Sequence, residues 1–239
     1  MANFNSFISQ IEDKFEGGYQ NLRNDNGNWT GGKVGVGTLV GTNHGIAAPT
    51  LSQWLGRTAT ISDMKNLSKE DAKKIYKSLF WDRINADKIQ NQGIAEFIFD
   101  WSLGSAYAYK EMNKALNYLY GTNFPTSGVK PIGDEQINVI NSASDPNKLL
   151  DTLKTYRINW YNNIVKADPT QAQFLPSWTS RTMSMFNKWY GNLAKGIETA
   201  AEEGVTEVKK IPKPIIIAGI GVLAIATFFL IKAISTKTK

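Results

Sequence analysis

Residues 15–19 read Phe15-Glu16-Gly17-Gly18-Tyr19 and close a stretch, residues 4–15, in which Phe4, Phe7, Ile8, Ile11 and Phe15 recur at spacings of three and four. That period belongs to an amphipathic helix with a narrow apolar face, and Gly17 and Gly18 stop it. Residues 19–46 change character: they are rich in Gly and Asn, with short β-compatible pieces around residues 33–40. They read as a small, irregular β-hairpin. A helix that ends on a glutamate beside a polar hairpin sets the expectation for the whole chain, an α+β fold that is mostly helical.

Working outward, helical signals dominate. Short helices are expected from Ser52 to Leu55 and from Asp63 to Leu67. A stronger one starts after Ser68, a good N-cap with Asp71 three residues on in a capping-box-like place, and runs through Ile75, Tyr76 and Leu79 to about Trp81. Residues 92–109 form another, with Ile94, Phe97, Ile98 and Trp101 on one apolar face, and further helices are expected over 110–119, 134–142, 146–166 and 179–192. Gly128, Pro131 and Gly133 mark a loop, and residues 193–210 read as a helical or flexible stalk.

The chemistry points to a pair of carboxylates. Glu16 sits at a helix end, where partial burial disfavours the charged form and raises the pKa, as a general acid working near neutral pH requires. The adjacent glycines let a bulky chain approach. Asp25 follows nine residues later inside the hairpin. A helix-end glutamate facing a hairpin aspartate suits glycoside cleavage, one group protonating the leaving oxygen and the other steering a water or stabilising the oxocarbenium ion. Trp29, in the polar hairpin, is the candidate for stacking on a sugar ring, whereas Trp81, Trp101, Trp160 and Trp178 lie at helical spacing and are assigned to packing. Lys33 either pairs with Glu16 or Asp25, holds an acidic substituent of the glycan, or is solvated. Asp100, between Phe99 and Trp101, is either a substrate contact in the cleft or the partner in a helix–helix hydrogen bond. His44, a lone loop histidine, is read as solvated.

The wording of these segments resembles glycoside hydrolase family 108, the bacterial and phage muramidases marked by Glu-Gly-Gly-Tyr. The similarity rests on Phe15-Glu16-Gly17-Gly18-Tyr19 and Lys33-Val34-Gly35-Val36, then on Leu67-Ser68-Lys69-Glu70-Asp71-Ala72-Lys73-Lys74-Ile75-Tyr76 with Phe80-Trp81-Asp82. Phe99-Asp100 and Ala143-Ser144-Asp145-Pro146 match the C-terminal part, often labelled peptidoglycan-binding, so the resemblance covers about residues 5–187. It implies a lysozyme-like fold, peptidoglycan as substrate, Glu16 as the catalytic glutamate, and Tyr19 either lining the cleft or plugging the space under the hairpin. The chain departs from the pattern at Gly32, where the family has threonine, at Val34, where it has tyrosine, and near Gly104, where an asparagine is missing. Thr30 and Thr38 are the hydroxyls nearest the first departure. Hydrolysis, and a lytic transglycosylase reaction that uses the sugar's own 6-hydroxyl, both remain open.

Composition narrows the partners. The 239 residues include no cysteine and one histidine, which excludes disulfides, cysteine nucleophiles and multi-histidine metal sites. No metal or organic cofactor is expected. The net charge of +6 is not spread over the protein: Lys209, Lys210, Lys213, Lys232, Lys237 and Lys239 lie in the last 31 residues without an acid, leaving the rest balanced. That argues against nucleic acid, which requires a basic face on the folded part. The lysines flank residues 215–231, 17 residues without a charge, which Ala233 and Ile234 extend past Lys232. With a snorkelling lysine this length suits one membrane-spanning helix. The N-terminus shows no basic region followed by an apolar core, so no signal peptide is expected.

The expected organisation is a lysozyme-like catalytic region over residues 1–85, a helical peptidoglycan-binding-type extension over 86–190, a stalk over 191–213 and a transmembrane helix over 214–234. The expected role is a membrane-anchored muramidase, associated with a lipid-containing phage virion or the host inner membrane, with other virion proteins as partners. A non-catalytic, membrane-anchored wall-binding protein is the reading from another class.

Overall fold

The computed structural model describes residues 1–10, 18–104, 108–128 and 132–191. Glu16 and the segment 214–234 therefore lie outside the described residues. Within them no helix is long and apolar enough to cross a membrane.

The first helix, α1 (Phe4–Gln10), is fixed at its start by Asn3, whose side-chain oxygen accepts from the backbone of Asn5 and Ser6 at 2.9 and 3.2 Å. Two further bonds, between Asn3 and Gln92 at 2.7 and 3.1 Å, tie that start to the chain entering the central helix. Phe4 and Phe7 then pack against Trp81 and Phe99, with ring centroids 5.1–6.4 Å apart. These buried aromatics anchor the helix that leads toward residues 11–17.

The sheet is small, as expected, and it lies at the C-terminal end of the stretch expected to hold it. Strands β1 (Thr42–Asn43) and β2 (Ile46–Ala47) pair antiparallel, Thr42 opposite Ala47 and Asn43 opposite Ile46. His44 and Gly45 make the two-residue turn, both at positive φ (48° and 74°), as a tight hairpin with the right twist demands. The piece around residues 33–36, expected to be strand-like, is a pair of turns instead, with Val36 N–H donating to Lys33 O at 2.9 Å. Gly37 explains part of this. At φ 77° a Cβ there would lie 2.3 Å from Thr30 Oγ1, so the chain folds back where a strand would have carried side chains outward. Single bridges, Gln20 with Thr42 and Trp29 with Leu39, close the segment on itself.

Helices α2 (Ala48–Leu55), α3 (Ile61–Lys65) and α4 (Lys69–Tyr76) follow. Ser68 caps α4 as expected, accepting from Asp71 N–H at 3.0 Å, while its hydroxyl donates to the Asp71 carboxylate at 2.8 Å. A π-helical turn, Lys77–Trp81, continues α4 and swings Trp81 fully inward. Its indole N–H donates to Asp87 at 2.6 Å.

The central helix, α5 (Gln92–Gly104), is buried on nearly every side: Ile94, Ala95, Phe97, Ile98, Phe99 and Trp101 are all core. Around it stand α6 (Ala108–Tyr120), α7 (Asp134–Asn141), the long α8 (Pro146–Ala167) and α9 (Leu175–Trp189). Of the helix expected over residues 92–109, Gln92–Gly104 and the start of α6 at Ala108 are helical, and residues 105–107 lie outside the described residues. One hydrophobic core runs from Ala2 to Phe186, so the N-terminal region and the helices after it share their apolar interior. This mostly helical α+β arrangement fits a lysozyme-like fold.

Candidate active site

The polar loop that follows Glu16 in sequence is organised by Asn28, which has no exposed surface. Its amide nitrogen donates to Gln20 Oε1 at 2.8 Å and to Leu22 O at 2.9 Å, and its amide oxygen accepts from Gln20 Nε2 at 3.0 Å and from Thr42 Oγ1 at 2.7 Å. Its backbone carbonyl accepts from Val40 and Gly41 at 2.8 and 2.9 Å. A buried side chain whose donors and acceptors are all used rigidifies the backbone around it. Residues 20–42 thus form a shaped wall despite having almost no regular structure.

Asp25 is attached to this wall. Its carboxylate accepts from Gly27 N–H at 2.8 Å and from Gln20 Nε2 at 3.2 Å, capping the 3₁₀ turn Asn26–Asn28. The group is half-buried, and two of its lone-pair directions are committed to the loop. Tyr19 is half-buried against the core and donates its hydroxyl to Val40 O at 3.1 Å, with the Lys65 ammonium 5.4 Å from its ring. Gly41 passes so closely that a Cβ there would stand 2.7 Å from the tyrosine ring. Trp29 is half-buried and fixed by an indole bond to Arg23 O at 3.0 Å. Lys33 stands exposed in the turns. Thr30, one of the hydroxyls near the Gly32 departure, accepts from Thr38 N–H at 2.9 Å and so holds the loop's two arms together. Tyr19, Asp25 and Trp29 therefore belong to one hydrogen-bonded segment. Glu16 lies outside the described residues, in the segment between α1 and Tyr19.

Asp100 is in a different setting. Of its two expected roles, the helix–helix contact is the one the geometry displays. It is 5% exposed and receives Arg157 Nη2 from α8 at 2.8 Å and Arg181 from α9 through Nε at 2.9 Å and Nη2 at 2.6 Å. Burial alone would raise this carboxyl. The two guanidinium groups overcome that and hold it well below the usual carboxylate range. One turn earlier on the same helix, Glu96 is fully buried and takes Lys188 at 2.5 Å and the Trp189 indole at 3.0 Å. These acids are the polar seam between α5 and the C-terminal helices.

Sequence reasoning missed Gln20, Asn28, Arg157 and Arg181. Gln20 and Asn28 looked like ordinary turn residues, since burial of an amide leaves no mark in the sequence. Arg157 and Arg181 had one available signal: two acids four residues apart on an apolar helix require cations from elsewhere. Among the described residues no group of three histidines, cysteines or acids is placed to hold a metal ion.

Comparison with known proteins supplies the chemistry. Residues 11–105 match the family model Glycosyl hydrolase 108, a span that includes Glu16, Asp25 and the whole polar loop. No curated protein matches. Among solved structures, that of Brucella abortus SagA is similar, with a TM-score of 0.58 and 24% identity over 77% of this chain and 92% of that one. That likeness concerns the fold. The matched span takes in the central helix α5 as well. The match of residues 11–105 to that family model marks the chain as a glycoside hydrolase.

Proposed function

We propose that the enzyme cleaves peptidoglycan at the β-1,4 bonds between N-acetylmuramic acid and N-acetylglucosamine, with Glu16 as the general acid. The observation that carries this reading is the Glycosyl hydrolase 108 match over residues 11–105, which contains Glu16-Gly17-Gly18-Tyr19 and the loop built on Asn28. The rigid loop supports it: glycosidic cleavage depends on holding a distorted sugar against a fixed surface, and hydrogen bonds tie Trp29 and Asp25 into that surface. Asp25, anchored through Gln20 and Gly27, is proposed to stabilise the cationic ring or to orient the attacking water.

The apolar segment 214–234, with lysines on both sides, is proposed to tether the enzyme to a lipid bilayer. A lipid-containing phage particle that opens the wall during entry would use such an arrangement. Recovery of the protein with purified, membrane-bearing particles supports this setting, and its restriction to the soluble cytoplasm of infected cells contradicts it.

The test of the chemistry is a digest of purified peptidoglycan by the full chain, with the products weighed by mass spectrometry. Muropeptides ending in reducing N-acetylmuramic acid are expected. Anhydro ends would make the enzyme a lytic transglycosylase. Binding without release of any glycan fragment would leave the membrane-anchored wall-binding protein as the correct reading.

A further inference from the structure

One buried carboxylate serves two guanidinium groups. Asp100 is the only acid bonded to Arg157 and Arg181 among the described residues, so the cluster holds two positive charges against one negative. The remaining polar partner of Arg157 is neutral: the Tyr161 hydroxyl accepts from Nε at 2.9 Å. Arginine cannot shed its proton to relieve the imbalance, and an uncompensated charge in a protein interior is costly.

Two terminal nitrogens remain unspent. Arg157 is 2% exposed, and its Nη1 has no hydrogen-bond partner among the described residues. Arg181 turns Nε and Nη2 to Asp100, which leaves Nη1 without a hydrogen bond among those residues. With 26% of its side chain open to solvent, Arg181 is the member of the cluster that a ligand can reach. An orphaned buried donor beside an excess positive charge is the signature of a site for an anion.

Arg181 is near enough to the buried Tyr76 hydroxyl to act on it electrostatically, and that hydroxyl lies 3.5 Å from His44 O at the tip of the hairpin. Tyr76 thus lies between this residue of α9, well beyond the end of the family match at residue 105, and the β1–β2 turn.

We propose that Arg181, held in place by Asp100 and backed by the charge of Arg157, binds a carboxylate of the glycan substrate. This rests on the peptidoglycan reading above, because that polymer carries carboxylates on its peptide stems and, where a stem has been removed, on the lactyl ether of its muramic acid. Asp100 locks one edge of the guanidinium and presents the other, a division of labour that a planar five-donor group performs and a lysine does not.

The test compares wild type, Arg181→Gln and Arg181→Lys in the full chain. The substrates are intact peptidoglycan, glycan strands stripped of their peptides, and neutral N-acetylglucosamine oligosaccharides. Binding to each is measured by calorimetry, cleavage of the first two by release of reducing ends, and folding by the melting curve. The glutamine variant is expected to weaken binding and raise KM about tenfold on a carboxylate-bearing substrate, the effect of one charge-assisted contact. Its kcat should stay within about twofold, and its affinity for the neutral oligosaccharide should not change. A loss on stripped strands assigns the lactyl carboxylate, and a loss on intact wall alone assigns the peptide stem. Lysine should not restore affinity. Equal losses on neutral and acidic glycans, or none, would overturn the proposal while wild-type cleavage of the wall leaves the peptidoglycan reading standing. So would failure of both variants to fold, which would make the cluster purely structural. A wild type that cuts no peptidoglycan would bring down that reading and the proposal with it.

Discussion

Gln20 and Asn28 clasp each other through both ends of their side-chain amides, at 2.8 and 3.0 Å, in the interior of a loop with hardly any regular structure. The clasp joins the residues just after Tyr19 to the approach to β1, because Asn28 also takes the Thr42 hydroxyl. Asn28→Ala takes one partner each from the Gln20 amide, the Leu22 carbonyl and the buried Thr42 hydroxyl, and a buried group left unpaired costs about 1–3 kcal/mol. Urea unfolding should show that loss. Wall cleavage should fall by more than the loss of folded protein accounts for, since the loop's shape goes with the clasp. Unchanged specific activity would show that the loop does not form the substrate wall.

The close approach of Gly41 to Tyr19 makes a second expectation. At φ 97° a Cβ on residue 41 would lie 2.5 Å from Gln20 O and 2.7 Å from the tyrosine ring. Gly41→Ala therefore strains the backbone and pushes Tyr19 from its place, at about 1–3 kcal/mol. Tyr19→Phe removes only the bond to Val40 O and should cost about 1 kcal/mol. A melting-temperature series should place the alanine variant well below the phenylalanine one, and the reverse order would contradict the packing.

Asp100 gives the fold a defined response to acid. Its carboxyl is lowered in the native state, first against burial and then by Arg181 and Arg157. A lowered folded pKa contributes stability that is complete above the unfolded value of about 4 and lost as pH falls through the folded value. Asp100→Asn should therefore destabilise the protein by about 3–5 kcal/mol at pH 7, the usual effect of breaking a buried pair. The gap to wild type should narrow below about pH 4. Chemical denaturation at pH 7, 5 and 3 measures it, and a gap independent of pH would remove Asp100 from the acid response.

Much of the helical scaffold could be read in advance because periodicity and caps are local. Ser68 announced α4, and the apolar residues of α5 announced a buried helix. Within the expected hairpin stretch the strand-like piece was placed too early because Val34 and Val36 look like strand residues, while the glycines around them set turns and the pairing fell to residues 42–47. The site was legible as a segment and not as a mechanism of assembly. Asp25 and Trp29 were picked by residue type and place in the loop, and Tyr19 by the family resemblance, but the amides that position them became visible only with their burial. For Asp100 both a cleft contact and a helix–helix contact stayed open in the sequence, because its neutralising arginines come from helices 57 and 81 residues away.

The account turns on Glu16, and one comparison tests it most directly: purified peptidoglycan incubated with the full chain as wild type and as Glu16→Gln. Glutamine keeps the shape of the side chain and removes the proton to be donated. Loss of a general acid lowers the rate by about 10²–10⁴-fold. The account predicts that wild type lowers the turbidity of the wall suspension, while the variant, with an unchanged melting curve, leaves it cloudy. Clearing at the same rate by both proteins would contradict it and move the acid to another residue.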